Sequence, residues 1–194
     1  MNKKIEIEIP EGKVAEWKEI NGVTTLVLVD EVDNRPVTER IKTIEDACNE
    51  LGEENVFVQA YRTAEFNTSG NQNDVSDVVA YLKLRVIAEA LNEGWEPQFT
   101  TNEYRWFPWF YLYTQEEIDN MDEEKKKSLW LFGGSSGAGA RCGLACARSG
   151  AAGAGSVASV SARLDVKSEE LAKYFGQQFI DIWADYLIDK RECE

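Results

Sequence analysis

Cysteine is the residue type in this chain that could carry the most distinctive chemistry. Cys142 and Cys146 are separated by three residues, while Cys48 and Cys193 stand far from them in the sequence. A pair of soft thiolates suits Cu(I), whereas zinc needs further ligands that the neighbouring sequence lacks. Cysteines among small apolar residues are more often core side chains. We therefore expect free thiols rather than a disulfide framework, and no metal or other cofactor.

Histidine is absent from all 194 residues, which removes the commonest general base and metal ligand. Catalytic arrangements of the Ser-His-Asp and Cys-His types are therefore excluded. Acidic residues are numerous, but no two of them are singled out for acid–base catalysis. The glycines near residue 135 are not followed by the Gly-Lys-Ser/Thr sequence of a phosphate-binding loop. These observations favour binding over catalysis, and we expect no enzymatic activity.

The charge balance limits the partners of the chain. With 21 basic and 35 acidic residues the net charge is −14, so the chain repels phosphate backbones and nucleic-acid binding is not expected. No stretch is apolar and long enough for insertion into a membrane. The first residues alternate charge with Ile and do not form a signal peptide. We therefore expect a protein made in the cytoplasm.

Residues 133–162 form a segment of small side chains, with eight Gly, nine Ala and six Ser among its thirty residues and no acid or lysine. One interpretation is a flexible linker. The other is a surface of small side chains that a folded scaffold holds in place. Apolar residues within the segment and strand-like sequences at both of its ends favour the scaffold, with Leu144, Val160 and Leu164 facing the core. We call residues 133–162 the small-residue segment.

Patterns before this segment predict both strands and helices. Alternating Ile and charged residues predict a strand at 5–9, and Asn21-Gly22 predicts a tight hairpin. Cap residues and glycines bound the first and the last of three helices, and Asp74 or Ser76 is expected to cap the last. The expected elements are the hairpin strands 14–20 and 23–29 and the helices 44–51, 56–66 and 74–93. The apolar face of the last helix is expected to be Val75, Val78, Val79, Leu82, Val86, Ala90 and Leu91.

Aromatic residues crowd together just before the small-residue segment. Nine of them lie within residues 95–113, and at strand spacing such a cluster is expected to lie mainly in the core. Thr114 and Glu117 match a capping box, which predicts a helix at 115–127.

The last part of the chain predicts one long helix. Ser168 is placed to cap it, and it is expected to end near residue 188. Apolar residues recur at the helical period of 3.6 and include Phe175, Phe179, Ile182 and Trp183. This helix is expected either to cover the sheet or to pack against another subunit in a homo-oligomer.

The two ends of the small-residue segment resemble a known frame. Trp130-Leu131-Phe132-Gly133-Gly134-Ser135 is followed about 25 residues later by Val160-Ser161-Ala162-Arg163-Leu164. This arrangement is similar to the "GGSW … GFR" frame that closes the formylglycine-generating-enzyme branch of the C-type lectin fold. The same frame bounds the variable region in target proteins of diversity-generating retroelements. The resemblance covers roughly residues 107–164.

The resemblance implies an α+β fold in three parts. These are an N-terminal β-hairpin region at 1–37, a C-type-lectin-like domain at 38–164 with a variable region at about 133–162, and an added C-terminal helix at 165–194. It also implies a variable ligand-binding protein of a phage or gut bacterium, whose ligand is a protein or a glycan. The resemblance also implies that such a protein can be incorporated into a virion.

In such target proteins, adenine-directed mutagenesis randomises Asn-type codons. The outcomes include Gly, Ala, Ser, Arg, Val, Cys and Leu, but exclude Trp, Lys, Glu, Gln and Met. Every residue of the small-residue segment belongs to the permitted set. The resemblance therefore implies that exposed positions of the segment vary and bind the ligand. These positions are Ser136, Gly137, Arg141, Arg148, Gly150, Ala151, Gly153, Gly155, Val157 and Ser159.

Two other functions stay open. One is a copper- or thiol-dependent oxidase of the formylglycine-generating type. That family holds copper with two cysteines in this part of the chain, separated by four residues instead of the three between Cys142 and Cys146. Tight binding of Cu(I) that Cys142→Ser abolishes would favour the enzyme. The other is a structural virion protein whose small-residue face packs against a neighbour.

Overall fold

The computed structural model describes residues 6–30, 33–68, 75–98, 100, 103–127, 129–132, 142–153 and 163–188. At residues 30, 130–132, 142 and 146–153 it describes the backbone alone. The chain divides into two units, Met1–Pro36 and Val37–Glu194.

The first unit contains the expected β-hairpin. Strand β1 (Lys13–Ile20) pairs antiparallel with β2 (Val23–Asp30). Asn21 and Gly22 have φ values of 53° and 78°, the left-handed conformation that this two-residue turn requires and that Asn and Gly adopt readily.

The strand expected at 5–9 is wrong for the residues that the structure describes there. Residues 6–10 carry no strand, and Ile7 and Ile9 are exposed. A sequence of alternating apolar and charged residues forms a strand only when a neighbouring strand is available for pairing. Within the described residues, the sheet of this unit consists of β1 and β2 alone.

Helices make up the first part of the second unit. Thr43 caps the second of them by accepting from the Asp46 N–H at 3.1 Å, and Asp46 Oδ2 accepts from the Thr43 N–H at 2.9 Å. Gly52 ends this helix with φ at 79°, as its position predicts. The helices are α1 (Val37–Arg40), α2 (Ile44–Leu51), α3 (Val56–Thr68) and α4 (Ser76–Asn92).

A three-stranded antiparallel sheet follows in the chain. Its strands are β3 (Tyr104–Thr114), β4 (Trp130–Phe132) and β5 (Cys142–Gly153), in the spatial order β3-β5-β4. Since β5 is the central strand, part of the small-residue segment lies within the sheet. A register shift opposite the step from Trp109 to Phe110 leaves one extra residue in β5, which is a β-bulge.

Two short helices replace the single one expected after Thr114. These are α5 (Gln115–Asp119) and α6 (Glu123–Lys127). The capping box of Thr114 and Glu117 is confirmed. The Asn120 side chain donates to the Glu116 carbonyl at 2.8 Å, and Asp122 Oδ1 accepts from the Lys125 N–H at 2.7 Å. Because these side chains bind nearby backbone groups, they end one helix and begin the next.

The C-terminal helix is also divided in two, as α7 (Glu169–Gln178) and α8 (Ile180–Leu187), with Phe179 at the junction. Ser168 caps α7 as expected, because its Oγ accepts from the Leu171 N–H at 3.2 Å. Both helices lie against the sheet. Phe175, Phe179 and Trp183 are buried there, and the ring centroids of Phe110 and Trp183 are 5.0 Å apart.

Helix α4 contacts α2, α3 and α8. Its buried face differs from the expected one, since Leu84 and Ile87 are fully buried while Val78 is exposed. Because α2, α3 and α8 all contact α4, more of its surface is buried than the single apolar face expected from the sequence. Ser76 is its first residue rather than its cap, and Asp74 lies outside the described residues.

The architecture is therefore α+β, with small antiparallel sheets and with α7 and α8 packed against the larger sheet. In the part of the chain that the structure describes, every helix is too short or too polar to cross a membrane.

Candidate functional site

The small-residue segment is anchored to the sheet at both of its ends. Before it, the backbone of β4 pairs with the start of β5, with Phe132 opposite Cys142. After it, Leu164 and Val166 are buried. Val166 and Trp106 exchange two backbone hydrogen bonds of 2.8 and 3.1 Å. The strand expected at 160–164 differs from this arrangement, because residues 163 and 164 are not in a strand and Val166 makes the contact. Residues 160–162, with Val160, lie outside the described residues.

A buried polar cluster fixes the chain where it leaves the segment. The Asn92 side chain at the end of α4 donates to the Asp165 carbonyl at 2.9 Å and accepts from the Lys167 N–H at 3.1 Å. Arg105 and Asp165 are buried next to it, with Nη1 and Oδ2 4.0 Å apart. Because a buried amide is stable only when it is hydrogen-bonded, Asn92 holds this segment in one position. Sequence reasoning missed these residues, and the only signal was a polar residue at the apolar end of α4.

An ion-pair network extends this anchor. Glu93 accepts from Lys167 Nζ and from Arg40 Nη2, each at 2.6 Å. The hydrogen bond from Lys167, assisted by the charge of Arg40, holds the pKa of Glu93 below its usual value. Arg40 also pairs with Glu50. The network therefore links α1, α2 and the end of α4 to the residues that precede α7.

Four of the predicted binding positions lie in β5, where they pair with the aromatic strand β3. Arg148 stands opposite Trp109 and Gly150 opposite Phe107. Ala151 and Gly153 stand opposite Trp106 and Tyr104. The other predicted positions lie outside the described residues: Ser136, Gly137, Arg141, Gly155, Val157 and Ser159.

The register divides these four positions between the two faces of the sheet. Partners across an antiparallel pair share a face, and successive residues alternate. Positions 148 and 150 therefore share the face of Trp109 and Phe107. Positions 151 and 153 share the face of Trp106, which is partly buried against the helical core. That all four positions bind a ligand stays a prediction.

One row of aromatic residues on β3 faces away from α7 and α8. We call Phe107, Trp109, Tyr111 and Tyr113 the aromatic face. Trp109 is 43% exposed and Tyr111 is 49% exposed, whereas the two residues at the ends of the row are half-buried. The rings of Tyr111 and Tyr113 are 6.2 Å apart, and Lys125 Nζ lies 5.2 Å from the centre of the Tyr113 ring.

The expectation that these aromatics lie in the core is wrong for the exposed row. Trp106 and Phe110 do pack against the core, but Trp109 and Tyr111 are exposed. Helices α7 and α8 lie against the face of Trp106 and Phe110, and alternation places a consecutive aromatic row on the opposite face of the strand. This consecutive pattern was the sequence signal for an exposed surface.

An exposed aromatic row is suited to binding. Aromatic side chains offer large apolar area with a polar tip on Tyr and Trp, and exposed apolar patches often mark interaction sites. The paired positions on β5 are Gly, Ala or Arg rather than bulky apolar residues. The aromatic face can therefore stack against an apolar surface or a sugar ring.

Metal and thiol chemistry have little support within the described residues. Among these, no three Cys, His, Asp or Glu side chains are grouped as a metal site would require. Cys48 is a buried free thiol on α2, and burial raises its pKa, which disfavours the reactive thiolate. Cys142 and Cys146 lie in β5 with only their backbone described, so copper binding there stays untested.

A scan against protein-family models, a search of curated proteins and a search of solved structures each found no match to this chain.

Proposed function

We propose that this chain is a ligand-binding display protein, the variable target protein of a diversity-generating retroelement. In this proposal residues 133–162 form a hypervariable surface on a C-type-lectin-like scaffold. The protein serves ligand or receptor recognition for a phage or bacterium, and it performs no catalysis.

The observation that carries this proposal is an exposed aromatic row beside a strand of small residues, within an anchored sheet. A display protein needs a rigid frame and a surface that tolerates changes, because binding residues must be held by a scaffold that does not depend on them. The pairing of β4 with β5 and the hydrogen bonds of Val166 and Asn92 supply such a frame.

Residue types on this surface also favour binding. Trp, Tyr and Arg dominate the energetics of protein interfaces. Trp109 and Tyr111 are exposed on β3, and the register position of Arg148 lies directly opposite Trp109. The constant aromatic strand would then supply general affinity, while the small-residue strand next to it supplies specificity. A protein or a glycan would fit such a surface.

The arrangement of the sheet is compatible with the proposed scaffold. The frame residues Trp130–Phe132 lie in β4, and Val166, which follows the frame, pairs with Trp106. Helices α7 and α8 lie against the face of Phe110, and the proposal places the ligand on the other face. The absence of histidine from the sequence and the raised pKa of the Cys48 thiol both favour binding over an enzymatic role.

Sequencing of the DNA around the gene tests the proposed origin of this surface. We expect a nearby gene for a reverse transcriptase and a near-copy of the codons for residues 133–162. The two copies should differ mainly where the near-copy has adenine. A complete locus with neither feature would contradict the retroelement proposal. Tight Cu(I) binding by the reduced protein, lost in Cys142→Ser, would favour the oxidase instead.

A further inference from the structure

The β-hairpin of the first unit is too small to be stable by itself. A two-stranded hairpin in water is marginally stable at best, and stable sheets usually need a third strand or a packed face. Within the described residues, β1 and β2 have no third strand. Trp17 is 70% exposed, and Ile20, Val23 and Leu28 are exposed as well. These features indicate a surface that is completed by a partner.

The outer edge of β1 is available for strand pairing. In a two-residue hairpin, the residues that flank the turn form a hydrogen-bonded pair, here Ile20 and Val23. Hydrogen-bonded and non-hydrogen-bonded residues alternate along β1. The backbone N–H and C=O groups of Ala15, Trp17 and Glu19 therefore point away from β2. Within the part of the chain that the structure describes, these three residues make no backbone hydrogen bond outside the hairpin. Such an edge is a template for another strand.

The sequence of β1 is complementary to itself in the antiparallel direction. On one face it presents Val14, Glu16, Lys18 and Ile20 in succession. In an antiparallel pair of two β1 strands centred on Trp17, Val14 lies opposite Ile20 and Glu16 lies opposite Lys18. The two-fold symmetry repeats each of these contacts. The Glu16 and Lys18 side chains are half-exposed and already 3.3 Å apart within one strand, so both charges are available at this surface.

The hydrogen-bond pattern fits the same register. The outward groups of Ala15, Trp17 and Glu19 become the hydrogen-bonded positions, with Trp17 on the two-fold axis. Glu16 and Lys18 then occupy a non-hydrogen-bonded pair, in which side chains approach each other most closely. The backbone hydrogen bonds, the apolar pairs and the charge pairs therefore all require the same alignment of the two β1 strands.

We propose that β1 pairs with β1 of a second copy of this chain, forming a four-stranded antiparallel sheet across a two-fold axis. The pairing gives an isologous dimer, the commonest form of homo-oligomer. A dimer would carry two binding surfaces, and two linked sites raise the apparent affinity for a multivalent target. The dimer does not depend on the proposed function, since it rests on residues of the first unit alone.

The association of the full-length chain tests this proposal directly. Sedimentation equilibrium over a range of concentrations should reveal a dimer for the parent chain. Glu16→Lys and Lys18→Glu each place like charges opposite one another at two symmetric contacts, so each should weaken dimerisation by about tenfold. Glu8→Lys makes the same charge change at an exposed position outside the strands, and should leave the dissociation constant within about twofold.

An equal mixture of the two single variants identifies the register. In a mixed dimer, the lysine introduced at position 16 faces the glutamate introduced at position 18, and the natural Lys18 faces the natural Glu16. The mixture should therefore dimerise more tightly than either variant alone. Packing of the hairpin against the rest of its own chain, or against a different protein, cannot produce this result.

Ala15→Pro gives an independent check, because it removes an outward N–H and leaves the β1–β2 hydrogen bonds in place. It should also weaken the dimer, and circular dichroism verifies that each variant is folded. A parent chain that remains monomeric at every concentration would overturn the proposal. So would a dimer that neither charge change nor Ala15→Pro weakens, or a mixture that forms no mixed dimer.

Discussion

Trp183→Ala is expected to lower the free energy of unfolding by about 3–5 kcal/mol. Trp183 on α8 is 4% exposed, and its ring lies 5.0 Å from the rings of both Phe110 and Phe175. Its Nε1 donates to the Phe175 carbonyl at 3.2 Å. The substitution removes one contact between α8 and the sheet, leaves a cavity, and takes away a buried hydrogen-bond donor.

Denaturant unfolding followed by circular dichroism measures this loss. The matched control is Phe66→Ala on α3, which also truncates an aromatic side chain but at an exposed position. It should change the free energy of unfolding by no more than about 0.5 kcal/mol. Equal stability of the two variants would show that the C-terminal helices do not contribute to the core.

Leu144→Asp is expected to have the second large effect, a loss of about 4 kcal/mol or more, which is a large part of the roughly 5–15 kcal/mol that stabilises a typical domain. Leu144 is fully buried in β5, between β3 and β4. A carboxylate at this position would lose its hydration and would be placed among apolar residues of the core. The variant should therefore be insoluble or lack a cooperative unfolding transition.

The strand partner of Leu144 provides the control. Leu112 pairs with Leu144 across the sheet but is 60% exposed. Leu112→Asp should cost about 1 kcal/mol or less, because its carboxylate remains in water. If both variants were equally stable, β5 would not lie in the core that we describe.

Features that depend on neighbouring residues could be predicted from the sequence. Asn21-Gly22 sets the hairpin turn because both positions need a left-handed backbone. Thr43, Thr114 and Ser168 cap helices as expected, because each cap bond spans only three residues. The buried face of Phe175 and Trp183 also follows from helical spacing, since a single neighbouring layer covers it.

Features that depend on distant contacts could not be predicted. The hydrogen bond from Asn92 to the Asp165 carbonyl joins residues 73 positions apart, and local patterns give no information about it. The buried face of α4 depends on which elements surround it. Periodicity alone favoured Val78, which is exposed, over Leu84, which is buried.

The sequence predicted only part of the candidate site, because the rest of the site depends on distant contacts. The small-residue segment was expected to lie on a scaffold, and residues 142–153 do form the central strand of a sheet. The aromatic face was not predicted, because its exposure depends on which side of the sheet α7 and α8 cover. Which positions of β5 share that face depends on the bulge near Trp109, and no sequence pattern fixes the position of that bulge.

The central claim is that one segment combines a tolerant surface with an intolerant frame, and the unfolding free energy of Gly150→Tyr tests it most directly. The register position of Gly150 lies opposite Phe107, on the face of the sheet opposite α7 and α8. A tyrosine added there should change the free energy of unfolding by no more than about 0.5 kcal/mol, while Leu144→Asp, six positions away, abolishes cooperative unfolding. A loss at Gly150 as large as that at Leu144 would mean an ordinary packed core, and full tolerance at both positions would mean a disordered linker.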